Sequence, residues 1–434
     1  MKTRALVVHP HFKADRDRRR DPETALAECV ALTEALDLEV VSAEVVTLAT
    51  AKAGALFGSG KIDEIKARVA AGGADLVIVD GAVTPIQQRN LEKAWDVKVL
   101  DRTGLILEIF GERAGTREGA LQVELAHLTY QKSRLVRSWT HLERQRGGAG
   151  FMGGPGETQI EADRRAIDEK IIRLKRQLQG VVQTRALHRK ARQKAPYPVV
   201  ALVGYTNAGK STLFNRITEA DVLAKDMLFA TLDPTMRAVK LPGGRKVVLS
   251  DTVGFISELP TQLVAAFRAT LEEVLAADVI VHVRDMAHPE TEAQKADVLD
   301  VLADLGVGPE QLSAVLEARN KIDLLDDAAR RAQTTEAARA GAVAVSALTG
   351  EGVGALLAAI DAALSETRHA AVVRLAQDNG KAAAWLHAHG LVVARRDDEG
   401  MAEFDLLASA RELNQFIKRF PQALVRGEAV GYLT

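Results

Sequence analysis

At 434 residues, with 57 basic and 58 acidic side chains and a net charge of −1, the chain has room for roughly two to four domains and carries no global field to attract nucleic acid. Its lone Cys29 excludes an internal disulfide and a cysteine metal cluster, and suits a reducing compartment. The apolar part of the N-terminus is too short for a signal peptide and no stretch approaches the roughly 18 uncharged residues of a membrane span, so a cytoplasmic location is expected.

Residues 1–115 alternate apolar runs with amphipathic stretches. Strands are expected at 5–9, 40–46, 76–80 and 97–100, with helices at 22–36, 61–71 and 85–95. That alternation predicts an N-terminal α/β domain with a largely parallel sheet. Residues 116–196 change character. Two long helices, 121–144 and 161–194, flank a glycine-rich stretch at 147–156 and predict an antiparallel hairpin with a glycine-rich tip. From Arg164 to Lys194 there are eleven Lys or Arg against two acids. Pro196 and Pro198 mark a boundary, and residues 197–364 show further strands at 247–249, 279–283, 314–316 and 342–345, a mostly parallel sheet with helices on both faces. The tail, 365–434, reads as a small C-terminal α+β domain with strands at 371–375, 391–395 and 403–407 and helices at 381–389 and 410–419.

The chemistry sits in the third segment. Gly204-Tyr205-Thr206-Asn207-Ala208-Gly209-Lys210-Ser211 fits G-x-x-x-x-G-K-[ST], follows the apolar run Val199 to Val203 and leads through Thr212 into a helical stretch. Such a loop closes its backbone N–H groups around phosphate oxygens, and the following helix adds its positive end. Lys210 is expected to reach the β- and γ-phosphates, and the Ser211 hydroxyl to ligate Mg²⁺. Asp251-Thr252-Val253-Gly254 matches an Asp-x-x-Gly element, in which the carboxylate holds Mg²⁺ through water and the glycine N–H senses the γ-phosphate. Between the two lies Phe229-Ala230-Thr231-Leu232-Asp233-Pro234-Thr235, where a threonine is expected to bind Mg²⁺ while the γ-phosphate is present.

Asn320-Lys321-Ile322-Asp323 sets the base. A carboxylate here accepts two parallel hydrogen bonds from guanine, whereas adenine has no matching donor pair and leaves the carboxylate unpaired. Asp323 takes that role, with Asn320 and the Lys321 stem in support, and Ser346-Ala347-Leu348 is the candidate loop for the guanine carbonyl. Two features depart from expectation. Glu317 and Arg319 interrupt the usually apolar strand before Asn320, and Phe255 stands where Ras-like GTPases carry a water-orienting glutamine. Asn207 offers a route to K⁺ beside the phosphates, with a loop-stabilising asparagine as the equal alternative.

Phe229 to Asp233, Asp251 to Phe255 and Gly153-Gly154-Pro155-Gly156-Glu157-Thr158-Gln159-Ile160-Glu161 together resemble the HflX family of translational GTPases, as does Leu56-Phe57-Gly58-Ser59-Gly60-Lys61. The resemblance covers residues 1–365 and is less distinctive in the tail. It implies a ribosome-associated GTPase, hydrolysing GTP to GDP and phosphate, that binds the large ribosomal subunit and its RNA and separates stalled ribosomes. By position it makes Ser211 and Thr231 the Mg²⁺ ligands and Asn320 to Asp323 the guanine site; with the motif readings of Lys210 and Gly254, this leaves Lys210, Thr231 and Gly254 as the candidate catalytic residues. A basic hairpin agrees with an RNA-lined partner, with a solvated helix face as the alternative, and Tyr130, Trp139 and Phe151 are read first as core or loop packing and second as base-stacking residues. A monomer is expected. Assembly of the large subunit is the neighbouring alternative, and ATP-driven RNA remodelling by the N-terminal region a more distant one, since Gly58-Ser59-Gly60-Lys61 lacks the spacer of a phosphate loop.

Overall fold

Runs rich in Val, Ile and Leu need burial on both faces, and parallel strands covered by helices provide it. The computed structural model describes residues 2–14, 20–145, 155–192, 197–219, 228–229, 235–257, 273–366, 369–389, 391–398, 400–408, 413, 416–417 and 419–427. Strands β1 (Arg4–Phe12), β2 (Glu39–Leu48), β3 (Leu76–Val79) and β4 (Lys98–Asp101) pair in parallel in the order β2-β1-β3-β4. Helices α1 (Pro22–Glu34), α2 (Ser59–Gly72) and α3 (Pro85–Trp95) fall where the sequence predicts them. Their starts are fixed locally. Asp21 accepts the Glu23 and Thr24 amides, and Thr84 with Gln87 forms a reciprocal capping box ahead of Pro85. The sequence did not signal α4 (Arg102–Arg113). Its Leu105, Ile106, Leu107, Ile109 and Phe110 are all buried, and the exposed face is a narrow stripe of Glu108, Gly111 and Glu112 that barely interrupts the apolar run.

α5 (Arg117–Gln145) and α6 (Pro155–Arg192) form the antiparallel hairpin, with Leu128 packed against Ile171 and Leu174 and Lys132 bonded to Asp168. α6 begins at Pro155 rather than Glu161, because proline's fixed φ suits a first helical turn. Pro155 and Gly156 are therefore helical, while 147–154 lie outside the described residues. Tyr130 is engaged at the root of the hairpin: its hydroxyl donates to Asp101 Oδ1 at 2.5 Å, and the Arg134 guanidinium lies 4.4 Å from its ring centre and also bonds Asp101. Tyr130 thus takes the packing reading and not the stacking one; the side chains of Trp139 and Phe151 lie outside the described residues. No helix among the described residues is long and apolar enough to cross a membrane.

The second sheet has the order β10-β9-β8-β5-β7-β6, from β5 (Val199–Val203), β6 (Thr235–Lys240), β7 (Lys246–Asp251), β8 (Val279–Asp285), β9 (Leu316–Asn320) and β10 (Val343–Ala344). Every pair is parallel except β6 with β7. The sequence reading missed β6 and placed β9 at 314–316; Ala314 instead follows the helix Pro309–Ser313. The strand order reverses around β5, and the crevice at the carboxyl end of such a switch point is where doubly wound sheets bind ligands. The third sheet, β12-β13-β11-β14, is antiparallel: β11 (His369–Ala376), β12 (Val392–Asp398), β13 (Met401–Ala408) and β14 (Leu424–Gly427), with the helix Gly380–Ala388. β14 was not foreseen, and the helix expected at 410–419 lies largely outside the described residues.

One apolar cluster joins the first two sheets, linking Val7, Leu105 and Phe110 with Tyr205, Phe229 and Phe255. At its centre Phe110 and Phe229 meet edge to face, with centroids 4.7 Å apart. Phe110→Ala is expected to cost about 3–5 kcal/mol, and to lower the denaturant midpoints of overall unfolding and of nucleotide retention together. An unchanged nucleotide-retention midpoint would contradict a shared core.

Candidate functional site

The phosphate loop leaves β5 and enters α7 (Lys210–Thr218), the strand–loop–helix context the motif requires. Two glycines are fixed by crowding. A Cβ on Gly204 would lie 2.2 Å from the Val283 carbonyl oxygen, and one on Gly209, at φ +90°, 2.2 Å from Asn320 Nδ2. Asn207 is exposed at φ 58°, a conformation asparagine tolerates. Ala208 is buried and Thr212 half-buried. Lys210 Nζ donates to the carbonyls of Gly204 at 3.1 Å and Tyr205 at 2.8 Å. Burial pulls its pKa down to about 8 against the opposing charge of Asp251.

Ser211 Oγ donates to Asp251 Oδ2 at 2.7 Å, with Asp251 fully buried at the end of β7. These two oxygens at the mouth of the loop suit Mg²⁺, which usually keeps waters and phosphate oxygens as its other ligands. Thr252 is tied down by a 2.6 Å bond to the Leu202 carbonyl. Val253 is buried, and Gly254 packs so closely that a Cβ would meet Thr206 Cα at 2.8 Å and Lys210 Nζ at 3.0 Å. The Phe229 amide donates to Thr206 Oγ1 at 2.9 Å. Ala230, Thr231, Leu232 and Asp233 lie outside the described residues.

Asn320 stitches the base-binding loops to the phosphate loop. Its Nδ2 donates to the Ala208 carbonyl at 2.8 Å, and its Oδ1 accepts the Ala347 amide at 2.9 Å. Lys321, at φ 63°, bonds Asp285 at 2.7 Å, and half-buried Asp323 follows Ile322 in a short 3-10 turn. Buried Ser346 accepts the Thr349 amide, while Leu348 is 67 % exposed. Every described segment of the predicted site thus converges on the carboxyl end of one sheet. In the first sheet, Lys61 of the Gly58-Ser59-Gly60-Lys61 segment is instead paired with Glu44 and Glu64, and Phe57 is core.

Family models match along the chain: the GTP-binding GTPase N-terminal region over 23–111, its middle region over 113–192, the 50S ribosome-binding GTPase over 199–320 and the HflX C-terminal domain over 329–424. The GTPase HflX of Magnetococcus marinus is 54% identical over 374 residues, covering 86% of this chain and 85% of that protein. That of Escherichia coli is 44% identical over 377 residues, covering 87% and 86%. The chain belongs to the HflX GTPase family. It is accordingly a P-loop GTPase, and the match runs through the tail that was less distinctive in sequence. A solved GTP-binding protein of Sulfolobus solfataricus in complex with GDP is 23% identical, with a TM-score of 0.43 over 84% of this chain and 99% of that one.

Sequence reasoning found the motif residues and missed what braces them. Glu317 accepts from Arg284 at 2.6 Å, Lys295 at 2.7 Å and Arg319 at 2.9 Å, so the charges that interrupt the β9 pattern form a network directly before Asn320. The alternation of Glu317, Ala318 and Arg319 was the available signal: charges two apart share one face of a strand. Burial opposes ionisation, but hydrogen bonding from Lys295 and the charge of Arg284 lead the cations in bringing the Glu317 carboxyl down to about 2. Its stabilising contribution is therefore fully present above the ordinary value of 4.5 and is lost as pH falls through about 2. Glu317→Gln is expected to cost about 3 kcal/mol at neutral pH, with the gap to wild type closing between pH 4.5 and 2. A gap that stays constant across this range would contradict the network's ionic character.

Proposed function

We propose that this HflX-family GTPase uses Lys210 and the phosphate-loop amides on the β- and γ-phosphates of GTP, and Asp323 on guanine. It acts in the cytoplasm as a monomer, on the large ribosomal subunit, to separate stalled ribosomes. The observation that carries the nucleotide reading is Asn320, bonded at once to the phosphate loop and to the Ser346–Leu348 loop, so that base and phosphate recognition share one frame. Mg²⁺, held by Ser211, by Thr231 and through water by Asp251, would neutralise charge on the phosphates. Lys210 orients the γ-phosphate, and the Gly254 amide faces the same group from the opposite segment. Phe255 is 3 % exposed within the shared apolar cluster, so it cannot orient water. The basal reaction is therefore slow until a partner completes the site, and Asn207 is our candidate for a K⁺ ion that supplies charge there.

Ribosome action is supported by the match to the 50S ribosome-binding GTPase model and by the hairpin. Arg164, Arg165, Lys170, Arg173, Lys175 and Arg176 are all exposed, whereas Ile167, Ile171 and Leu174 of the same helix pack toward α5. A cationic flank of this kind neutralises RNA phosphates.

One experiment tests base recognition and ribosome action together. Asp323→Asn offers a donor to xanthine's extra carbonyl, so it is expected to turn the protein from GTP to xanthosine triphosphate. In sucrose gradients, wild type should convert intact ribosomes to subunits with GTP, and the variant should do so with xanthosine triphosphate only. Intact ribosomes after wild type and GTP would contradict the splitting role, and GTP-driven splitting by the variant would contradict the role of Asp323.

A further inference from the structure

Helix α1 lies far from the phosphate loop in sequence, yet it holds that loop through one carboxylate. The Tyr205 hydroxyl donates to Glu28 Oε2 at 2.6 Å and accepts the Ser257 amide at 2.8 Å. Arg102 holds the other Glu28 oxygen at 2.5 Å, and Arg20 bonds Oε2 at 2.9 Å. Both arginines also reach Ser257: Arg20 its hydroxyl at 2.8 Å, Arg102 its hydroxyl at 3.1 Å and its carbonyl at 3.2 Å. Arg102 is anchored in turn by Asp80 at 2.7 Å, which bonds His9 at 2.6 Å.

The network is well shielded, with the Glu28 side chain 10 % and Tyr205 3 % exposed. Burial alone would raise the Glu28 pKa; Arg102 and Arg20 outweigh it and keep the carboxylate ionised. Burial and Glu28 raise the Tyr205 pKa, so its hydroxyl remains a donor.

What Glu28 grips is a clamp. The Phe255 amide donates to the Gly204 carbonyl at 3.1 Å, and the Thr206 amide to the Phe255 carbonyl at 2.7 Å, on either side of Tyr205. The clamp fixes Gly254 hard against Thr206 and Lys210, where the close approach already described leaves no slack. A shift of the Tyr205 side chain is thus passed to the spacing between the phosphate loop and Gly254. A buried carboxylate between two arginines adds little net stability compared with apolar packing, and Phe110 with Phe229 already supplies that packing. What the ionic bonds add is direction.

We propose that Glu28 is a positioning residue for GTP hydrolysis, acting through Tyr205 and Ser257 to set the spacing of the phosphate loop and Gly254. It touches neither nucleotide nor metal. The proposal depends on the family's GTPase activity and not on the ribosome. Phosphoryl transfer relies on placement more than on covalent help from the protein, so loosening this link lowers the rate.

The test uses the full chain with excess Mg²⁺, measuring kcat and KM for GTP and the thermal midpoint. Tyr205→Phe and Glu28→Gln are each expected to lower kcat about tenfold with KM within about twofold, since a small misplacement suffices for that loss. The double variant should be no slower than the slower single, because both cut the same link. A purely structural role would lower the thermal midpoint without this split. Unchanged or faster kcat in Tyr205→Phe, or losses that multiply in the double variant, would overturn the proposal. Should Glu28→Gln fail to fold, Tyr205→Phe decides alone, because it leaves Glu28 with both arginines.

Discussion

A loop that lends its backbone N–H groups to a phosphate cannot use them to hold its own shape, so neighbours must hold it. Here each side of the loop has such a neighbour. Val283 crowds Gly204 from β8, Asn320 bonds Ala208 from the end of β9, and Phe255 pairs with the backbone on both sides of Tyr205. Lys210 reaches back to the loop's own carbonyls. The strand reversal at β5 brings these groups together, and Tyr205 of the loop bonds Glu28 of α1 in the N-terminal unit.

That last contact explains residues that look out of place in a GTPase site. Phe229 and Phe255 are apolar where a nucleotide-facing segment favours polar groups, and both are buried in the cluster shared with Phe110. The residue after Gly254 is therefore committed to packing and not to water. The protein gains a rigid seat for its phosphate-side segments and gives up water orientation at this one position, in keeping with the partner-completed site proposed above.

Sequence made the nucleotide site legible because its chemistry lies at fixed offsets. Gly204 to Ser211, Asp251 to Gly254 and Asn320 to Asp323 are each short; the first two follow apolar runs, while Asn320 closes the charge-interrupted β9 and was legible from its own motif alone. The strands β1 to β4 and the two long helices were legible from period and charge. What failed had a common cause. α4 exposes only a narrow stripe at Glu108, Gly111 and Glu112, β9 carries an internal ion network, and β6 and β14 depend on pairing with β7 and β11. The bond between Tyr205 and Glu28 spans 177 positions, and no local pattern encodes it. Tyr205 inside the phosphate loop and Phe255 after the glycine are the site residues that meet the N-terminal unit, and in sequence Phe255 stood out only for the glutamine it replaces.

The central claim is that nucleotide loops and the N-terminal unit form one mechanical body, and hydrogen exchange of the full chain with and without GDP addresses it most directly. Binding is expected to slow exchange in the phosphate loop and after Asn320, and also in α1 and α4, which hold Glu28, Arg102 and Phe110. Slowing confined to residues after 197, with α1 and α4 exchanging as fast as in free protein, would contradict it.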